Sequence, residues 1–301
     1  MVDFQDRVAI VTGAGGGLGR EHALLLASLG AAVVVNDLGG SVHGEGASAN
    51  AADRVVDEIK TAGGAAVAEY SSVSDPTAGE AIVQKAIDEF GRIDVLINNA
   101  GILRDKSFAN MAIEEIQAVL DVHLRGAFHV TQPAFRLMRE QKYGRIVFTS
   151  SASGLIGNFG QSNYGAAKMG LVGLMQVLKI EGMKYNIKAN AIAPIALTRM
   201  TEDLLVDMKD LFAPSAVSPA VAYLASEANE LSGEIWSVGG GSVSRFFVGL
   251  TDGYVKPASE GALTVNDVEQ HLFEIRREED YIVPFSNQDE FAKLALRLMP
   301  S

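Results

Sequence analysis

The stretch "RVAIVTGAGGGLGREHALLLASLGAAVVVND", Arg7 to Asp37, decides how this chain is read. An apolar, β-rich run ("RVAIVTG") leads into a turn of glycines, and the glycines open a helical stretch. Gly13, Gly17 and Gly19 allow a tight turn and a close backbone approach to a pyrophosphate at the helix N-terminus. The second run, "AAVVVND", ends at Asp37, about 20 residues beyond the glycines, where an acidic side chain binds a ribose 2′-hydroxyl. Each feature alone has a plainer explanation, because glycines ease many strand–helix joints and an acid often closes a strand. Together they point to a dinucleotide site with Gly13, Gly17, Leu18, Gly19 and Asp37 as cofactor contacts.

The pattern continues through the chain. "AAVAEY", "RIDVLINNAG", "YGRIVFTSS" and "IKANAIAP" are further apolar runs, separated by amphipathic stretches such as "DRVVDEIKTAG" and "AGEAIVQKAIDEFG". Apolar strands alternating with helices predict an α/β fold, a doubly wound parallel sheet with helices on both faces. "GEIWSVGGG" is expected to finish the sheet near Gly241. Composition then shifts. Residues 1–247 read as one domain and 248–301 as a C-terminal helical extension, with one helix beginning near Thr264 and a final helix capped by Ser286 or Asn287. The extension is too short for a core of its own and is expected to pack on the domain or on a second subunit.

Composition narrows the function classes. The 301 residues are 48% hydrophobic with 31 glycines, as suits a packed globule. The 37 acidic and 25 basic residues give a formal charge of −12, which disfavours nucleic acid or an anionic membrane as partner. With no cysteine there is no disulfide, thiolate metal site or cysteine nucleophile. His22, His43, His123, His129 and His271 lack paired ligand spacing, so no metal is expected. The longest apolar run, Ala23 to Val35, falls short of the roughly 20 residues of a membrane span. No leader-like segment opens the chain, and its "LMPS" end is not a peroxisomal address, so a soluble cytoplasmic protein is expected.

"SSASGLIGNFGQSNYGAAK", Ser150 to Lys168, carries the candidate chemistry. On a helix Tyr164 and Lys168 share a face, and a nearby cation draws a phenol below its ordinary pKa of about 10. By itself the pair reads as a chance pair on a solvated face rather than as a tuned acid/base. Joined to the glycine turn, to "NNAG" at Asn98–Gly101 and to Ser151 thirteen residues before Tyr164, it resembles the short-chain dehydrogenase/reductase family over Val8 to Gly241. That resemblance implies a Rossmann-like fold binding NAD. It implies that Tyr164 exchanges a proton with the substrate oxygen while hydride moves to or from the nicotinamide. It further implies that Lys168 lowers the Tyr164 pKa and bonds the nicotinamide ribose, and that Ser151 holds the substrate oxygen. Asn99, Ala100, Gly101 and Thr198 are implied cofactor contacts, with Ser72 and Val73 at the adenine. His123, in "DVHLRGAF", stands where the family carries an asparagine that holds a water of the proton relay, so it belongs either to that relay or to the packing.

A narrower resemblance rests on "VVVNDLGG", "NNAGILRDKSF", "VHLRGAF", "KYGRIVFTSSASGLIGNFGQSNYGAAK" and "RMT". These are similar to the (3R)-hydroxyacyl-CoA dehydrogenase group found in peroxisomal multifunctional enzymes of β-oxidation, a group also known as 17β-hydroxysteroid dehydrogenase type 4. The resemblance implies NAD-dependent oxidation of a (3R)-3-hydroxyacyl-CoA to the 3-oxoacyl-CoA, with an enoyl-CoA hydratase as a separate partner. A dehydrogenase of free hydroxysteroids would use the same residues. A catalytically silent nicotinamide-binding regulator would be expected to lack Ser151, Tyr164 or Lys168. Arg104 and Lys106 are candidates to meet the anionic CoA, and Met200 to Pro214 is a candidate lid. Two long helical stretches, Ile113 to Gln141 and Ser162 to Tyr185, are those the family pairs into a homodimer, or a tetramer built from dimers.

Overall fold

A computed structural model describes residues 2–197 and 211–298. The chain divides into two compact units, Met1–Arg245 and Phe246–Ser301. The first begins with strand β1 (Val8–Thr12), helix α1 (Gly17–Ser28), β2 (Ala32–Asn36), α2 (Asn50–Thr61), β3 (Ala65–Glu69), α3 (Ala78–Phe90) and β4 (Val95–Asn98). It continues through α4 (Ile113–Leu120), α5 (Gly126–Gln141), β5 (Gly144–Thr149), the single turn α6 (Ala152–Leu155), α7 (Ser162–Gly182) and β6 (Ile187–Pro194). Helix α8 (Ser218–Ala225), β7 (Ile235–Gly239) and β8 (Ser242–Phe246) complete the sheet.

The strands lie in the order β3-β2-β1-β4-β5-β6-β7-β8, and the pairings from β3 through β7 are parallel. The central strands are buried because both faces are covered, which is why they read as continuous apolar runs rather than as alternation. Alternate residues still choose faces. Ala9 and Val11 join Val33, Val35, Val95 and Ile97 in one core with α1, α2 and α8. Helices α3, α5 and α7 pack elsewhere, α3 against α5 and α7 against β6. Strand order reverses between β2 and β4 on either side of β1, so a crevice opens at the carboxyl ends of these strands.

Three details depart from the sequence reading. The sheet does not stop at Gly241: Gly240 and Gly241, with φ of 57° and 77°, make a two-residue turn into β8. Positive φ at both positions is the signature of a type I′ hairpin, and glycine adopts it without strain. The stretch Ile113–Gln141 is interrupted by a π-helical turn at Asp121–Arg125, between α4 and α5. In the second unit the first expected helix is two pieces, α9 (Val265–Gln270) and α10 (Leu272–Arg276), parted at His271, which stacks on Tyr254.

The predicted Thr264 start of α9 is built as a capping box. Asp267 N donates to Thr264 Oγ1 at 3.2 Å, and Thr264 N donates to Asp267 Oδ2 at 2.8 Å. Helix α11 (Asn287–Leu298) follows Ser286, whose hydroxyl accepts from Gln288 N at 3.3 Å. Among the described residues no helix is long and apolar enough to cross a membrane.

Candidate active site

The crevice is a cleft of about 490 Å³ in the first unit. One end of it is lined by the β1–α1 turn. Helix α1 has no side-chain cap and no acidic residue in its first turn, so its first N–H groups face the cleft without a competing carboxylate. Close approach is enforced behind the turn: a Cβ on Gly19 would fall 2.2 Å from Gly13 O, and one on Gly13 would fall 2.7 Å from Ala100 Cα. Gly13, Gly17 and Leu18 line the cleft. Gly19 packs against Gly13 O behind the turn.

Asp37 leaves the end of β2 and lines the cleft. Its carboxylate accepts from Gly15 N at 2.7 Å and Gly39 N at 2.6 Å, which fastens the glycine turn to the β2 end. From the other side Thr12 Oγ1 accepts from Asn99 N (3.0 Å) and Ala100 N (3.1 Å), and Asn99 Nδ2 donates to Thr12 O and Gly13 O, both at 3.1 Å. The amide of Asn99 is thus committed to holding the turn. Ala100 and Gly101 line the cleft beyond it, and Ser72 and Val73 line the end nearest β3. Thr198 lies outside the described residues, as does most of the expected lid.

Ser151, Tyr164 and Lys168 come together at the end of β5. Ser151 caps α6, its hydroxyl accepting from Ser153 N at 3.1 Å, and it also hydrogen-bonds the Tyr164 phenol. Tyr164 and Lys168 sit one turn apart on α7, with Lys168 Nζ 5.4 Å from the tyrosine ring centre and donating to Thr149 O at 2.5 Å. The expected lowering of the phenol is reversed in the free protein. Burial pushes Tyr164 up to about 12, opposed by the Ser151 hydrogen bond and aided by Asp105. Burial likewise brings Lys168 down to about 7. Desolvation disfavours the charged form of each.

His123 is buried in the π-helical turn, where such irregularity often marks a functional place. Its Nε2 lies 2.9 Å from Ile102 N and 2.8 Å from Ile102 O, Nδ1 has no partner, and the ring meets Tyr164 edge-on at 5.1 Å. Burial, then the Lys168 charge, holds the imidazole well below its ordinary pKa, so it is neutral. Arg104 and Lys106 are both paired with carboxylates, Glu45 and Glu115 respectively, which weakens their expected role toward CoA phosphates.

The sequence reading missed three supports. Asn163 is buried; its Oδ1 accepts from Tyr164 N at 2.7 Å while its Nδ2 donates to Arg104 O and Glu115 O. Asp105, held by Gln161 Nε2 at 2.6 Å, faces the phenol. Thr12 braces the glycine turn. Only Asn163 had a local signal, a polar residue just before the tyrosine at a helix start.

An open helix N-terminus behind a glycine cradle, an acid at the next strand end and a buried Ser–Tyr–Lys group fit a nicotinamide dinucleotide beside a secondary alcohol or ketone. Residues 7–208 match the short chain dehydrogenase family, and the chain belongs to that family: it is an oxidoreductase acting on CH–OH groups with a nicotinamide dinucleotide cofactor. Its sequence is similar to part of peroxisomal multifunctional enzyme type 2. The chain is 53% identical over 262 residues to a short-chain type dehydrogenase/reductase of Mycobacterium tuberculosis, covering 86% of this chain and 92% of that protein. It is 40% identical over 262 residues to a hydroxyacyl-CoA dehydrogenase of the same organism, covering 80% of each. The solved full-length peroxisomal multifunctional enzyme type 2 of Drosophila melanogaster superposes with a TM-score of 0.82 at 38% identity, covering 99% of this chain and 50% of that one.

Proposed function

We propose that the protein oxidises a (3R)-3-hydroxyacyl-CoA to the 3-oxoacyl-CoA with NAD. The observation that carries the reading is the Ser151–Tyr164–Lys168 group, whose Tyr164 and Lys168 line the same cleft as Asp37. Held by residues that line the cleft, among them Gly13, Gly17 and Asp37, a nicotinamide dinucleotide would supply the hydride acceptor. The chain's own residues handle the oxygen and the proton. Ser151 holds the alcohol oxygen through its hydroxyl, and the Tyr164 oxygen takes the O–H proton as the carbonyl forms. Lys168, anchored on Thr149 O, supplies the cation that the phenolate needs.

NAD is favoured over NADP because Asp37 would repel a 2′-phosphate and Leu38, not a cation, follows it. The acyl-CoA class rests on the subfamily resemblance and on the names of the relatives. Hydration of an enoyl thioester by a separate hydratase would supply such a substrate. The deciding measurement is NADH formation over (3R)- and (3S)-3-hydroxyacyl-CoAs, truncated thioesters and free 17β-hydroxysteroids, with NADP in parallel. The expected outcome is the highest kcat/KM for a (3R)-acyl-CoA, lower for truncated thioesters because the remote CoA handle no longer positions the carbon. A hydroxysteroid oxidised as efficiently as the best acyl-CoA would replace the thioester reading with a steroid one. NADP kinetics equal to those with NAD would remove the role given to Asp37.

A further inference from the structure

The glycine-rich segment after Asp37 is used by none of this chemistry, yet it is built with care. Leu38 O accepts from Ser48 N at 2.9 Å and closes its base. At its tip Ser41 Oγ accepts from His43 N and Glu45 N, each at 3.2 Å, and Ser41 N donates to Glu45 O at 2.8 Å. The tip is then fastened to the loop that follows β4. Leu103 N donates to Val42 O at 2.9 Å, His43 Nδ1 lies 3.1 Å from Leu103 O, and Arg104 Nε donates to His43 O at 2.9 Å. Arg104 also reaches Glu45 at 3.7 Å, and Gly44 seats against Ile102, where a Cβ would come within 3.2 Å of the isoleucine side chain.

The sheet order gives this contact its meaning. β2 and β4 flank β1, so a loop from the end of β2 that is bonded to the loop after β4 must cross the carboxyl end of β1, where the glycine turn opens. Both the segment (Gly40, Ser41, Val42, His43, Gly44) and its anchor (Ile102, Arg104) line the cleft. Resting on the reading that NAD occupies this cleft, we propose that residues 38–48 form a strap across the cofactor, latched by Arg104 as a positioning residue, and that the strap must open for the dinucleotide to enter or leave. A loop latched by a few hydrogen bonds and one ion pair opens on its own, and such opening steps set many binding and release rates.

The test is stopped-flow NADH fluorescence on the whole protein, which needs no turnover. With the wild type, the observed binding rate should level off at high NADH, because strap opening precedes binding. Arg104→Ala should raise that plateau and the NADH dissociation rate together, each by about tenfold, the factor that corresponds to about 1.4 kcal/mol. Ser41→Ala and His43→Ala, which loosen the tip from the other side, should raise both rates severalfold. Lys85→Ala, in a surface pair on α3, should leave both rates within twofold. Faster dissociation in Arg104→Ala alone, with association unchanged and the other two variants silent, would mean a direct Arg104–cofactor contact and overturn the strap. So would rates unchanged in all three variants with thermal unfolding unaltered. A wild type that does not bind NADH would sink the cofactor reading itself, and the strap with it.

Discussion

At the residue scale the catalytic pair is in tension. A lysine at about 7 is about half charged at neutral pH, and a phenol at about 12 keeps its proton. It is therefore set to donate a proton, as ketone reduction requires, while alcohol oxidation needs the phenolate. Oxidation kcat/KM should climb with pH above neutrality as the phenol of the loaded enzyme deprotonates. Tyr164→Phe should lower kcat by about 10²–10⁴-fold and flatten that climb while NADH still binds. A pH profile unchanged in Tyr164→Phe would assign the titrating group elsewhere.

Lysine burial also has a stability consequence. The folded Lys168 sits below its unfolded value of 10.5, so the unfolded state binds more protons between pH 7 and pH 10.5. Its burial cost is fully present below about pH 7 and is relieved as pH rises toward 10.5. Lys168→Met should therefore raise Tm at pH 7 by about 2 °C or more, since 1 kcal/mol moves a domain of this size by a few degrees. The advantage should shrink toward pH 10. A Tm below wild type at pH 7 would show that the bond to Thr149 O outweighs the desolvation.

At the scale of elements, the β1–α1 turn couples folding to binding. Gly19 has no room for a methyl group against Gly13 O, which is backbone and cannot swing aside. Gly19→Ala should lift the start of α1 away from β1 and cost on the order of 1–3 kcal/mol, as overpacking of a well-packed site does. Dinucleotide affinity should fall in parallel, measured by NADH fluorescence titration beside thermal unfolding. Full affinity with wild-type Tm would show that the turn has slack the structure does not reveal. Asn99, just after β4, and Thr12, at the end of β1, brace the same turn, so the cradle depends on two neighbouring strands and not on its own glycines alone.

For the whole molecule, the open question is assembly. Phe128 on α5 and Val177 and Ile180 on α7 are exposed apolar side chains, and Met183 follows just beyond. Exposed apolar surface of this kind marks an interaction site when it is contiguous, and the family resemblance pairs these two helices across a two-fold axis. Light scattering should return at least twice the 31.9 kDa chain mass, stable on dilution. Replacing Val177 and Ile180 with lysine should shift the mass toward that of one chain. A wild-type mass of 31.9 kDa at all concentrations would remove the dimer.

What the sequence by itself determined was whatever lies in short-range order. The Arg7–Asp37 unit announced a parallel α/β sheet because strand, glycine turn, helix and acid are neighbours in the chain. Tyr164 and Lys168 were legible because helical spacing alone puts them on one face. Thr264 was legible as a helix start because a capping box needs only four residues. The rest depended on contacts between distant segments. Hidden from the sequence were the sign of the Tyr164 shift, which burial decides, and the place of Gly19 behind the turn. So were the clamp of His123 on Ile102 and the crossing of residues 38–48 to Arg104. Desolvation and long-range hydrogen bonds are properties of what surrounds a side chain, and only the tertiary structure supplies the surroundings.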